Sequence, residues 1–162
     1  MNAKSLTSIV MLLIWRSAFS SDMDYLKERV AIQEKLIYEY ANAWDQKDCD
    51  RWSSLFTSDA ILDLSGDGNL ASTMSRATGR IEIKEFCMRR MSTVLENVKT
   101  HHFMTNTIFN QINSSRATSS TYALITWKPL LADKPTIQTS IIYHDQIVKE
   151  KDRWLLKVRL IK

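Results

Sequence analysis

One aspartate at the end of an amphipathic helical stretch is the residue whose position first suggests chemistry. Ile37, Tyr40, Ala41 and Trp44 recur at helical spacing and share an apolar face, and Asp45 follows directly after them. The helix macrodipole disfavours an anion at a C-terminus, so this carboxylate is unusually placed. Two interpretations remain open from this stretch alone: a solvated helix end, or a functional carboxylate beside two large aromatic side chains.

Histidines in a strand-like segment supply a second group of candidates. The segment from His101 to Ile112 is rich in Thr, Ile and Phe, which is typical of a strand. Strand alternation predicts that one face carries His102, Met104, Asn106 and Ile108. His101 would then lie on the opposite, exposed face, while Asn106 could orient a bound molecule.

Four further residues have less specific interpretations. His144 is expected to be structural, as polar strand residues usually are. Arg159 in the last predicted strand would either anchor an anion or form an ion pair on a dimer face. Cys49 and Cys87 lie in predicted helices and match no metal-binding spacing. Buried free thiols are the default expectation for them, and a disulfide is the alternative.

Length and charge indicate a single folded domain and give no sign of a nucleic-acid-binding protein. The 162 residues suit one domain with a sizeable core, and no repeat or low-complexity tract interrupts them. The net charge is +4, but basic and acidic residues are interspersed, with no basic block interleaved with aromatic residues. Nucleic-acid binding is therefore not indicated.

The N-terminus has the features of a secretory signal. Lys4 gives a positive start, and Leu6–Trp15 is a short, mostly apolar run that is too short to span a membrane. Met23 would serve as an alternative start, so export and a cytoplasmic location both remain open. The chain is accordingly divided into an N-terminal extension or signal peptide, 1–22, and a folded domain, 23–162.

Helical periodicity comes first along the chain, and strand periodicity follows. The predicted helices cover Asp24–Asp45 (with Leu26 and Val30 on its apolar stripe), a short segment capped by Asp48 or Asp50, and about Arg80–Asn97. The predicted strands are Ala60–Leu64, His101–Ile112, Ala117–Trp127, Thr136–Lys149 and Arg153–Ile161, with a turn at Thr57–Asp59 and a loop at Leu70–Thr78. This order predicts an α+β fold with three helices on the concave side of a curved, mainly antiparallel sheet. A cavity is expected at its open end, and a homodimer through the apolar outer face.

Four segments, in this order, resemble the SnoaL-like branch of the nuclear-transport-factor-2-like superfamily. They are Tyr40–Asp48 with Trp52–Ala60, Thr78–Phe86, Thr100–Asn106 and Tyr143–Trp154. The resemblance covers roughly Asp24 to Lys162 and implies a cone-shaped sheet wrapped around three helices, a cystatin-like α+β barrel. The superfamily contains dehydratases, a dehydrochlorinase, cyclases, isomerases and proteins of no known activity, so the fold alone leaves the function open.

The resemblance also implies a site. In the dehydrochlorinase and in scytalone dehydratase, an Asp ending the first helix pairs with a His on the strand after the third helix. Those places fall on Asp45 and His102, and Tyr40 matches the tyrosine–aspartate spacing of bile-acid dehydratase. The residues expected to line the substrate cavity are Trp44, Leu64, Phe86, Met104, Asn106, Tyr122 and Trp127.

This chain departs from each of those enzymes. The second active-site histidine of scytalone dehydratase is replaced by the segment Thr126–Lys128, and its first-strand tyrosine falls near Leu64. The strand aspartate of bile-acid dehydratase falls in Tyr122–Ile125. These departures argue against transferring any single activity.

An Asp–His pair predicts proton-transfer chemistry. A neutral imidazole is a good base near pH 7, and a carboxylate bonded to its other nitrogen fixes the tautomer. With Tyr40 as a hydrogen-bond donor, the expected function is a lyase or isomerase acting on an apolar small molecule without cofactor or metal. The alternative is a non-catalytic ligand-binding or subunit-interaction module, which would resemble the β subunits of ring-hydroxylating dioxygenases.

Overall fold

The computed structural model describes residues 22–66 and 75–162. Helix α1 runs through residues 22–45 and contains the π-helical turn Gln33–Ile37 before its last segment, Tyr38–Asp45. Helices α2 and α3 are Cys49–Ser53 and Gly79–Ser92. The strands are β1 Phe56–Asp63, β2 Arg76–Thr78, β3 Val98–Ile112, β4 Arg116–Pro129, β5 Thr136–Glu150 and β6 Arg153–Ile161.

These strands form one curled, unclosed sheet in the order β2-β1-β6-β5-β4-β3. Every neighbouring pair is antiparallel except β1 and β6, which are parallel. The core lies between the helices and the concave face, with Trp52, Phe56 and Tyr143 among its largest fully buried side chains. The predicted α+β fold with a mainly antiparallel sheet and three helices is confirmed, although the sheet does not close on itself.

The buried face of α1 changes direction along the helix. Leu36 and Tyr40 are buried, but Leu26 and Val30 are 48% and 57% exposed, so the predicted continuous apolar stripe is wrong in its first half. The π-helical turn Gln33–Ile37 explains the difference, because its wider turn rotates the preceding residues around the helix axis. Helical periodicity alone does not reveal such a turn.

Two boundaries near the second and third helices also differ from prediction. β1 already begins at Phe56, so the predicted turn at Thr57–Asp59 is wrong, and those residues fall in an irregular stretch of the β1–β6 pairing. β2 occupies the end of the predicted loop Leu70–Thr78, whose first residues lie outside the described ones. Three residues are too few to show strand alternation.

Helix α3 ends at Ser92, five residues before the predicted end at Asn97. The hydroxyls of Ser92 and Thr93 both donate to the carbonyl of Arg89, which competes with continued helical bonding. Lys47 Nζ then donates to the carbonyls of the following turn at Leu95 and Glu96. The turn is thereby fixed against the α1–α2 connection.

The two cysteines are joined, contrary to the default expectation of free thiols. Cys49 begins α2 and Cys87 lies in the middle of α3, and the two residues form a disulfide with a Cα–Cα distance of 5.7 Å. The sequence could not decide between free thiols and a disulfide, because the cysteines are 38 positions apart and only the packing of α2 on α3 brings them together.

Candidate functional site

The carboxylate of Asp45, at the end of α1, is held by three donors from β3. Its Oδ1 atom accepts hydrogen bonds from His102 Nδ1 at 2.6 Å and from Thr100 Oγ1 at 2.7 Å. Its Oδ2 atom accepts the main-chain N–H of His102 at 2.9 Å. These donors offset the unfavourable position of an anion at a helix C-terminus. Asp45 is therefore not a solvated helix end.

The contact with Asp45 fixes the orientation and tautomer of His102. Because a carboxylate can only accept, Nδ1 carries a proton, and in the neutral ring Nε2 has the free lone pair. The two hydrogen bonds from His102 to Asp45 use Nδ1 and the main-chain N–H, and neither uses Nε2. The His102 side chain is only 6% exposed, whereas that of Asp45 is 19% exposed. The arrangement leaves a sheltered nitrogen that can take up a proton.

Three aromatic side chains, here called the aromatic wall, surround this pair on the helical side. Trp44 packs between Trp52 and Phe86, at ring-centroid distances of 4.8 and 6.0 Å, and meets the His102 ring edge-on at 6.4 Å. All three wall residues are buried. They keep water away from one side of the imidazole, which strengthens its electrostatic pairing with Asp45.

Tyr40 is buried one and a half turns before Asp45 in α1. Its ring contacts those of Trp52 and Tyr143, at 5.2 and 5.7 Å, and lies under the guanidinium of Arg159 at 3.9 Å. Burial raises the pKa of Tyr40 above its ordinary value. At neutral pH the phenol is therefore a proton-bearing hydrogen-bond donor.

A buried ion pair on β5 and β6 adjoins Tyr40. Arg159 binds Asp145 through two hydrogen bonds of 2.7 Å, and both side chains are 0% exposed. Burial would lower the pKa of Arg159, but the Asp145 charge outweighs it and holds the pKa above its ordinary value. The predicted ion pair on a dimer face is thus wrong, since Arg159 faces the interior. Its Nη1 atom has no hydrogen-bond partner within the described residues.

Tyr143 connects the ion pair with the Asp45 region. Arg159 lies over its ring at 4.3 Å, so the guanidinium sits between two phenol rings. Burial raises the pKa of Tyr143 well above its ordinary value, and the nearby Tyr40, Asp145 and Asp45 groups add to that effect. Two neutral phenols and one cation thus share the interior with the Asp45–His102 pair.

The sequence itself carries a signal for this ion pair. Asp145 and Arg159 lie at nearly mirrored positions around the turn between β5 and β6, and they pair across the ladder. Opposite charges facing each other at inward positions of a hairpin indicate a buried pair. What the sequence does not tell is which face of the β5–β6 hairpin points to the interior.

The expected lining residues divide into two groups. Leu64 and Phe86 are buried, and Met104 and Trp127 are half-buried and pack on the core. Trp127 pairs with Thr100 across the β3–β4 ladder, so it lies on the same inner face as the Asp45 contacts.

Asn106 and Tyr122 do not fit the lining role expected for them. A bulge between Thr105 and Ile108 shifts the alternation, with Asn106 at φ 47°, so the predicted face shared by His102, Met104, Asn106 and Ile108 is wrong beyond Met104. Asn106 and Ile108 are exposed. Tyr122 is 43% exposed on the outer face, because its neighbour Ala123 points inward.

The remaining polar candidates lie away from this site. His101 is exposed, and His144 is half-buried on the outer face with Nδ1 3.1 Å from Ser120 Oγ. In residues 22–66 and 75–162, no group of three or more His, Cys, Asp and Glu side chains could hold a metal ion. None of the helices described there is long and apolar enough to cross a membrane.

An open groove of about 560 Å³ lies on the outer face, lined by residues such as Gln111, Thr118 and Gln146. It includes neither Asp45 nor His102. The cavity expected at the open end of the sheet stays a prediction.

Comparison with known proteins places these observations in a family. The model of the SnoaL-like domain matches residues 24–159. Similar solved structures include Rv3472 of Mycobacterium tuberculosis, a protein of unknown function, at 20% identity and a TM-score of 0.71, with 88% of this chain and 74% of that chain covered. No curated protein matches the chain.

Two further solved structures come from Novosphingobium aromaticivorans. A candidate scytalone dehydratase is 20% identical, with a TM-score of 0.70 and coverage of 88% of this chain and 87% of that one. A candidate aromatic ring hydroxylase is 24% identical, with a TM-score of 0.69 and coverage of 85% and 89%. At such identities the similarity establishes the fold alone.

Proposed function

Because the chain belongs to the SnoaL-like family, we propose that it is a small-molecule lyase or isomerase with His102 as its base. The observation that carries the proposal is the 2.6 Å contact between Asp45 Oδ1 and His102 Nδ1 beside the aromatic wall. This contact fixes the tautomer in which Nε2 accepts a proton, and a carboxylate in contact with Nδ1 stabilises the imidazolium that results.

The proposed reaction begins with transfer of a substrate proton to His102 Nε2. The proton comes from a carbon or a hydroxyl group of an apolar substrate, and Asp45 stays ionised throughout. His102 then returns the proton to a leaving hydroxyl or to another carbon, which gives dehydration, elimination or isomerisation. Positioning of the base close to the acidic group is the main contribution expected of the protein.

The phenols and the buried cation would stabilise the charge that develops on the substrate. Tyr40 would donate a hydrogen bond to a leaving group or a carbonyl oxygen, because burial keeps its pKa high. Arg159 would anchor a negatively charged or carbonyl oxygen through Nη1, its donor without a partner in the described residues. Trp44, Phe86, Leu64, Met104 and Trp127 would supply the apolar surface of the site.

Two further proposals concern the organisation of the chain. Residues 23–162 form the SnoaL-like domain, which the match over 24–159 supports, and 1–22 form an extension or signal peptide.

The second of these proposals is that the protein is a homodimer that associates through the outer face of β3 and β4. Phe103 and Leu124 support this, since they pair across the ladder and remain 53% and 37% exposed.

The alternative proposal is a non-catalytic module that binds an apolar ligand or a partner subunit. The similar structures include a protein of unknown function, so the fold alone does not require turnover. It predicts binding without turnover, and binding that survives the loss of the imidazole.

Hydrogen–deuterium exchange into small molecules tests for the base without knowledge of the substrate. A panel of apolar ketones, β-hydroxy carbonyl compounds and haloalkanes is incubated with the protein in D₂O and followed by mass spectrometry. Deuterium uptake or elimination is expected with the wild type. His102→Gln and Asp45→Asn should each slow it by about a hundredfold or more, as loss of an acid–base group does.

The matched control is His101→Gln, because His101 is exposed on the opposite face of the same strand. This variant should react like the wild type, and the His102→Gln, Asp45→Asn double variant should be little slower than either single variant. Full activity in His102→Gln would contradict the proposed base. Ligand binding without any reaction would favour the module.

A further inference from the structure

The only disulfide among the described residues joins the two helices that carry most of the aromatic wall. Cys49 begins α2 and lies three residues before Trp52, and Cys87 follows Phe86 directly in α3. Trp44 stacks on Phe86, contacts Trp52 with the ring planes tilted, and meets the His102 ring edge-on. The disulfide thus connects the two elements between which Trp44 is held.

The other described ties between α2 and α3 are weaker. The ion pair between Lys84 and Asp50 is exposed, and such pairs contribute little. Helix α2 has only five residues, so it has little stability of its own, although Asp48 caps it by accepting the Arg51 N–H. Trp52 is packed against Tyr40, Trp44 and Phe56, and the disulfide is the covalent tie that holds its short helix to α3.

The two cysteine residues differ in accessibility. Cys87 is fully buried, whereas Cys49 is half-buried at the start of α2. A dithiol reductant can therefore attack Cys49 Sγ with its thiolate, and Cys87 leaves as a thiolate. The second thiol of the reductant then resolves the mixed disulfide, so that the reductant is oxidised and both cysteines become thiols.

We propose that the Cys49–Cys87 disulfide is a redox-sensitive clamp on the aromatic wall. In the oxidised protein, α2 and α3 hold Trp44 against His102. Reduction releases α2 and loosens the wall, while the sheet and the remaining core keep their structure. The effect on the ligand site rests on the proposed function, but the change in the wall does not.

The test compares oxidised and reduced full-length protein. Protein equilibrated with oxidised glutathione is alkylated and weighed, which should show no free thiol, and treatment with dithiothreitol should reveal two. Reduction should speed amide exchange in α2 by about tenfold or more and diminish the near-ultraviolet aromatic circular dichroism. The far-ultraviolet signal, which reports the sheet and helices, should be retained.

The Cys49→Ser, Cys87→Ser double variant is the matched control. It should exchange in α2 like the reduced wild type and should not respond to dithiothreitol. Two free thiols after treatment with oxidised glutathione would overturn the proposal, as would unchanged exchange in α2 on reduction. Loss of the far-ultraviolet signal on reduction would also overturn it, because the link would then hold the whole fold rather than the wall.

Measuring deuterium uptake into small molecules in both redox states separates this proposal from the proposed function. If reduction slows deuterium uptake and loosens α2 together, the clamp acts on the site. If α2 loosens but no substrate reacts in either state, the clamp stands and the lyase or isomerase proposal fails.

Discussion

A fully buried arginine is costly unless its charge is matched, and Asp145 is the carboxylate that binds Arg159. Both hydrogen bonds between them are 2.7 Å long, and two aromatic rings cover the guanidinium. Removing one charge from such a pair leaves the other buried and uncompensated.

We therefore expect Asp145→Asn to lower the free energy of unfolding by about 3–5 kcal/mol. The measurement is urea unfolding followed by circular dichroism. Asp59→Asn is the control, because Asp59 pairs with Lys157 at the exposed surface and its loss should change stability little. Equal stability of the two variants would show that the buried pair has no special weight.

For single residues, the sequence predicted some positions and contacts correctly and missed others. Helical spacing identified Asp45 as a carboxylate in an unfavourable position, and the family resemblance named His102 as its partner. The pairing of Cys49 with Cys87 could not be predicted, because it depends on helices meeting in space. Asn106 was misplaced because a single bulge reverses strand alternation.

A carboxylate attaches the first half of α1 to the far end of the sheet. Glu28 accepts hydrogen bonds of 2.7 Å from Lys149 Nζ and from Trp154 Nε1. The hydrogen bond from Lys149 lowers the pKa of Glu28 below its ordinary value of 4.5. A lowered pKa in the folded state means that this interaction stabilises the fold above the ordinary pKa.

That stabilisation should disappear as the pH falls through the lowered pKa. Glu28→Gln should therefore lower the melting temperature at pH 7, and the difference from the wild type should shrink below the ordinary value of 4.5. Thermal melts across this range measure it. Glu34→Gln, which changes an exposed position of the same helix, should show no such convergence. A difference that grows on acidification would contradict the assignment.

Elements that the local sequence marks clearly were predicted more accurately than elements that depend on tertiary contacts. β6, predicted at Arg153–Ile161, has those ends in the structure, because the polar turn before it and its own run of apolar residues mark the strand. β2 was missed since its pairing with β1 is a tertiary contact of three residues. The π turn in α1 likewise results from packing rather than from local preference.

Exposed apolar side chains on the outer face lead to a prediction for the whole molecule. If β3 and β4 form the proposed dimer interface, Leu124→Lys should convert a dimer into a monomer in sedimentation at micromolar concentration, because it buries a charge. Ile81→Lys is the control, since Ile81 is 77% exposed on α3 and not on the sheet. A wild-type monomer under these conditions would contradict the proposal.

The contact between Asp45 and the main-chain N–H of His102 has a consequence for solubility. β3 is one of the two edge strands of the sheet, and an open edge invites pairing with strands of other molecules. Asp45 occupies one of these outward positions, and the bulge around Asn106 interrupts the edge further along. The carboxylate proposed to orient the base thus also covers one donor of the open sheet edge. This contact would therefore serve the fold whether or not Asp45 takes part in the proposed chemistry.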